Sequence, residues 1–282
     1  MRLKNYFSAF LLAGLMISAT TMDAQTPETD PKFEVRYGAV DAVETEEFDI
    51  SFSEMHCQME FALVKITIMN HTDDWLYFDP SKVTFTASGS DYVAKGRVWR
   101  VDPNKSKSKT VKVAGEGNYK SDTYAVKIDG AVQLLPSTGI VSDPGPFKIP
   151  AASNSVKTDS YKVSLVDIKK KTKETLVVFE CTYIGKDIGL VFNNEPSMCP
   201  EGMEDKMYST DNMKDKVKVL KPGKKTKVKM LYHIPAKVVD MQFADLLIHW
   251  NGTLVETKFE DIDFSHTLDL KRDEALTKAK NQ

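Results

Sequence analysis

The chain repeats itself at a spacing of about 114 residues, and this restricts its fold more than any other feature. Val43-Glu44-Thr45-Glu46-Glu47-Phe48-Asp49-Ile50-Ser51-Phe52 reads again as Val156-Lys157-Thr158-Asp159-Ser160-Tyr161-Lys162-Val163-Ser164-Leu165. Val, Thr and Ser recur unchanged. Aromatic and aliphatic positions exchange within their class. Phe33-Glu34-Val35 precedes the first copy, and Phe147-Lys148-Ile149 precedes the second. Further on, Phe61–Asn70 matches Leu176–Gly185, and Leu76-Tyr77-Phe78-Asp79 matches Leu190-Val191-Phe192-Asn193. A period of this kind is the mark of a duplicated structural unit.

Each copy has the texture of a β protein. The runs are short, rich in β-branched and aromatic residues, and separated by turn clusters every 8 to 12 residues. Asn70-His71-Thr72-Asp73-Asp74 is one such cluster. Asp129-Gly130 and Asn251-Gly252 each stand between two apolar runs. Such dipeptides favour the positive φ of a two-residue hairpin turn, so the spacing predicts a hairpin at both. Ser142-Asp143-Pro144-Gly145-Pro146 breaks any strand and marks a boundary.

The motif Leu220-Lys221-Pro222-Gly223-Lys224-Lys225-Thr226, followed by an alternating strand to Tyr232 and then Ile234-Pro235, resembles a pattern of bacterial immunoglobulin-like β-sandwich modules. The resemblance implies two tandem immunoglobulin-like sandwiches, in an all-β chain. On this reading residues 33–141 are the first domain, 142–146 the linker, 147–266 the second domain and 267–282 a charged C-terminal tail ending in a short helix or frayed end.

Arg2 and Lys4 followed by the apolar run Phe7–Ser18 read as a signal peptide cleaved at Ala24-Gln25, with 25–32 a flexible leader. Twelve apolar residues rise ~18 Å as a helix, too little for a bilayer core of ~30 Å. The Ala-Gln junction with its polar stretch resembles secreted proteins of Bacteroidota-type bacteria. The expectation is a secreted or periplasmic protein with no transmembrane segment in the mature chain.

With 38 basic and 40 acidic residues the chain offers no electrostatic case for nucleic acid. Lysine clusters at Lys105–Lys112, Lys169–Lys173 and Lys221–Lys229 read as solvated strand edges that discourage pairing with neighbours. Of the three cysteines, Cys181 and Cys199 are placed to pair or to remain free thiols, and Cys57 has no partner in its own repeat.

Two groups of residues are candidates for chemistry. Met198, Cys199, Met203, Met207 and Met213 gather soft donors that suit copper, against the simpler reading that methionine fills irregular cores. Trp75 and Trp250 sit beside turns. There they serve either as partly exposed stacking surfaces or as core. His233 and His249 are candidates to meet across adjacent strands, against the simpler reading of hydrogen-bonded structural histidines. No G-x-S-x-G elbow, complete phosphate loop or C-x-x-C zinc pair is present. The expectation is a non-enzymatic binding or structural protein of the cell envelope, without a cofactor, that contacts a protein or glycan through loops or a strand edge. Copper binding through the Met-rich loop is the alternative.

Overall fold

The structure, a computed structural model, describes residues 27–115, 117–211 and 217–282. The expected signal peptide, part of the leader and Met213 lie outside the described residues. The chain is all-β. Its first strands are β1 (Val35–Arg36), β2 (Val43–Glu44), β3 (Phe48–Gln58), β4 (Phe61–Asn70), β5 (Trp75–Phe78), β6 (Val83–Ala87), β7 (Ser90–Val93), β8 (Trp99–Val101), β9 (Ser106–Ala114), β10 (Thr123–Asp129) and β11 (Val132–Leu135). There follow β12 (Ile140–Val141), β13 (Phe147–Ile149), β14 (Ser155–Lys157), β15 (Tyr161–Lys171), β16 (Glu174–Tyr183), β17 (Ile188–Phe192), β18 (Ser197–Pro200), β19 (Tyr208–Ser209), β20 (Val217–Leu220), β21 (Lys225–His233), β22 (Leu246–His249) and β23 (Leu254–Thr257). The chain closes with β24 (Glu260–Asp261), β25 (Ser265–Lys271) and the helix α1 (Glu274–Lys280).

These strands form sheets whose order repeats. β2-β3-β4-β9 in the first half corresponds to β14-β15-β16-β21 in the second. The order β25-β10-β6-β7 corresponds to β13-β22-β18-β19, and β24-β11-β5-β8 to β12-β23-β17-β20. Each long strand buries alternate residues, because successive side chains point to opposite faces. Thus β4 buries Ala62, Val64, Ile66 and Ile68, and β16 buries Val177, Phe179, Cys181 and Tyr183. Each half has its own core, one containing Phe48, Ile66 and Phe85, the other Tyr161, Phe179 and Trp250.

The outermost strand pair breaks the simple tandem. In the second half it is β12 and β13, supplied by the segment just before the repeat. In the first half it is β24 and β25, supplied by the C-terminal end of the chain. β25 pairs with β10 over seven positions, from Ser265↔Asp129 to Lys271↔Thr123. Phe264, Leu268 and Leu270 enter the first core. The segment after 266 is therefore not a loose tail. α1 is capped by Asp273, which accepts from the Leu276 amide at 3.0 Å. Its Thr277 hydroxyl accepts from Arg36 N, and Asn281 exchanges bonds with both the N–H and the C=O of Glu34. Arg272 ion-pairs with Glu28, Asp122 and Glu274, fastening the two ends of the described chain together.

This arrangement also corrects the match between Phe33–Val35 and Phe147–Ile149. β1 pairs with β3, whereas β13 pairs with β22. β25 already holds the place that β13 fills in the second half.

Neither Asp-Gly nor Asn-Gly makes a hairpin. β10 and β11 pair with different neighbours, as do β22 and β23. The positive φ of Gly130, and of Asn251 and Gly252, serves instead to bend the chain from one sheet into the next. A tight two-residue hairpin occurs at Ser88-Gly89, between β6 and β7, where both residues have positive φ.

The two halves meet in a third apolar cluster. Trp75 and Leu135 of the first pack with Ile188, Leu190 and Val255 of the second, and Tyr77 stands edge-on to Phe259 with ring centres 4.9 Å apart.

If β25 completes the first core, Leu268→Ala should lower stability by about 2–5 kcal/mol. The urea midpoint of the full chain measures it. An exposed neighbour, Asp269→Ala, should change the midpoint by less than about 0.5 kcal/mol.

Candidate functional site

Strand edges are the first place to look for a partner surface, since they carry unpaired backbone groups. β9 and β21 are edge strands. Lys107, Lys109 and Lys112 on one, and Lys225, Lys227 and Lys229 on the other, are exposed. A row of ammonium groups repels an incoming copy of the same edge. β24 carries Glu260 and Asp261, both exposed.

β12 differs. It lies at the edge of the β12-β23-β17-β20 sheet, and its two residues are the apolar Ile140 and Val141, 71 % and 55 % exposed. Ser142 N donates to Leu254 O at 2.8 Å. In an antiparallel ladder such bonded positions alternate, so the Val141 N–H and C=O point away from β23. Gly139 lets the strand close in, because a Cβ there would stand 2.2 Å from the Glu256 carbonyl oxygen.

Beside β12 runs a cleft of about 480 Å³ lined by Pro136, Thr138, Ile140, Asp187, Glu256, Lys258 and Glu260. Three carboxylates against one ammonium make it acidic. Glu256 is locked in place. It accepts from the Ser160 hydroxyl, from the Tyr183 hydroxyl at 2.6 Å and from the Lys186 amide at 3.2 Å. The hydroxyls of Ser160 and Tyr183 hold its carboxyl below the usual range. Gly185 and Gly189 leave room for the Tyr183 ring, which a Cβ at either position would meet at 2.7 Å or less. Below it, the buried Tyr161 hydroxyl donates to the carbonyls of Leu190 and Val255.

The aromatic candidates are not at a surface. Trp75 is 6 % exposed in the waist cluster. Trp250 is 1 % exposed and packs edge-on against Phe179, with ring centres 5.0 Å apart. The bend at Asn251-Gly252 turns the chain over the core, which draws the preceding indole inward instead of leaving it at a hairpin tip. Neither ring offers a face to a sugar.

The sulfur candidates are partly dispersed. Met198 is fully buried in the second core. Met203 is half-buried in the turn after β18, where its amide donates to Pro200 O at 3.0 Å. Met207 is 43 % exposed. All three cysteines are buried free thiols, so Cys181 and Cys199 do not pair.

The structure gives His249 a partner that the sequence did not name. His249 Nε2 stands 3.6 Å from Cys199 Sγ. It does not meet His233, which lies in another sheet between Asp211 and Glu174. Burial, and the carboxylate of Glu204, push the Cys199 thiol up. A catalytic thiol needs the opposite shift. Among the described residues, no three His, Cys, Asp or Glu side chains converge to hold a metal ion. No helix there is long and apolar enough to cross a membrane.

No protein-family model and no curated protein matches the chain. Among solved structures it is matched to a secreted serine protease, VesC from Vibrio cholerae, at 8 % identity and a TM-score of 0.18, over 82 % of this chain and 52 % of that one. The chain thus spans about half the length of that protein, and a likeness this low carries no argument about fold or activity.

Glu256→Gln should cost about 1–2 kcal/mol at pH 7, since hydrogen bonds to a carboxylate are stronger than those to an amide. A carboxyl with a depressed folded pKa stabilises above its unfolded value of ~4.3 and loses that contribution as pH falls through the folded value. The gap between the urea midpoints of variant and wild type should therefore close as the pH is lowered below about 4.

Proposed function

We propose that the protein is an exported, non-enzymatic binding or structural protein of the cell envelope, built as two tandem immunoglobulin-like sandwiches. It takes an extended peptide segment of a protein partner along β12. The observation that carries this reading is the unguarded apolar edge at Ile140 and Val141, set beside an acidic cleft on a molecule whose edges β9, β21 and β24 carry charge. Strand addition draws affinity from main-chain bonds and specificity from alternate side chains. The cleft selects a segment with apolar residues flanked by Lys or Arg.

The repeated strand order supports the tandem part of the reading, and the signal-like start of the sequence supports export. The upward shift of the Cys199 thiol favours a non-catalytic role.

The test uses synthetic peptides of alternating Val and Thr, flanked by lysines or by glutamates, titrated into the full chain by fluorescence anisotropy. The lysine-flanked peptide should bind in the micromolar range, and the glutamate-flanked one at least tenfold more weakly. Ile140→Lys/Val141→Lys should abolish binding while leaving the circular dichroism and urea midpoint unchanged. Equal binding of both peptides, or binding untouched by the double variant, overturns the proposal.

A further inference from the structure

The pair at Cys199 and His249 has a spacing that a hydrogen bond and a metal ion both satisfy. A Zn–S bond is about 2.3 Å and a Zn–N bond about 2.0–2.1 Å. With bonds of that length, a sulfur and a nitrogen on one tetrahedral ion lie about 3.5 Å apart, and on one trigonal ion about 3.8 Å apart. The observed Sγ to Nε2 separation is 3.6 Å. The separation of the two side chains thus matches that of two ligands of one ion.

The sheet brings up a third donor. Ser197 stands opposite His249, and Cys199 opposite Leu247, so Cys199 and His249 are diagonal neighbours on one face of the β18–β22 pair. On the other side of β18, Ser197 is opposite Ser209 and Met198 opposite Tyr208. Continuing this antiparallel register by one step would set Met207, which directly precedes β19, opposite Cys199. It is 43 % exposed, so its thioether is reachable from solvent. Thiolate, imidazole and thioether together are a soft set, suited to a monovalent copper ion rather than to calcium or magnesium.

We propose that Cys199, His249 and Met207 form a site for Cu(I). Met198 takes no part, because it is buried in the core on the opposite face. Cu(I) binds as the Cys199 thiol loses its proton to solvent, so a neutral copper–thiolate unit replaces the S–H and no change of oxidation state is involved. Cys199 is buried, His249 half-buried and Met207 exposed, so the three donors run from the core to the surface. The site is independent of the β12 edge.

Anaerobic Cu(I) titration of the full chain against a competing chelator tests it. One equivalent should bind, with a thiolate-to-copper absorption band in the near ultraviolet. X-ray absorption should report sulfur and nitrogen ligands at bonding distance. Cys199→Ser should abolish binding. His249→Asn and Met207→Leu should each weaken it at least tenfold, while Cys181→Ser, a buried thiol on another sheet, should leave it unchanged. Met207 is exposed, so its variant folds and keeps the test decisive. An affinity unchanged by both His249→Asn and Met207→Leu, or equal loss in Cys181→Ser, overturns the site and leaves a plain S–H···N hydrogen bond.

Discussion

The structure depends on the ladder between β25 and β10. Without it the first core lacks Phe264, Leu268 and Leu270, and β10 is left with one free edge along its whole length. Burying three large apolar side chains contributes several kcal/mol, at about 1.5–3 kcal/mol each. Net stabilities of whole domains are only about 5–15 kcal/mol, so the first half cannot be treated as independent of the last residues of the chain. The strand closes a loop of well over a hundred residues. That closure carries only a logarithmic entropy cost, which the ladder and its buried side chains outweigh.

This arrangement ties the two halves together despite the repeat. The second half takes its outer strands from the segments on either side of residues 142–146, and the first takes them from the far terminus. The linker and the terminus therefore both pass the waist, where Trp75, Leu135, Ile188, Leu190 and Val255 exclude water. β12 is the last strand at that crossing. Among the described residues no further segment covers its outer edge, which is how an apolar edge comes to be exposed in a chain that lines β9 and β21 with lysine.

The two sites draw on different physics. The β12 edge offers directional backbone groups and an acidic flank, both suited to a chain-like ligand. The Cys199 face offers polarizable atoms in a partly desolvated setting, suited to a soft ion. Burial raises the thiol pKa and so opposes nucleophilic use, but a metal ion displaces the proton regardless and gains by the exclusion of water.

Much of the architecture is legible in the linear chain. Alternating apolar residues in Phe61–Asn70 and Leu176–Gly185 specify strands, because a two-residue period has only one buried face. The recurrence of Val43–Phe52 at Val156–Leu165 anticipates the matching positions of β2-β3 and β14-β15. The lysine runs announce the guarded edges. Other features were out of reach. Asp129-Gly130 and Asn251-Gly252 specify positive φ, but whether the chain then reverses or merely bends depends on which strands flank it, a long-range matter. Trp250 follows that bend into the core. Cys199 and His249 are 50 residues apart, and only the register of β18 on β22 makes them neighbours. Local pattern determined the strands, their faces and the duplication. The tertiary structure decided which segment completes which sheet, since a β-strand's partners are chosen by hydrogen bonds and burial between residues that the sequence holds far apart.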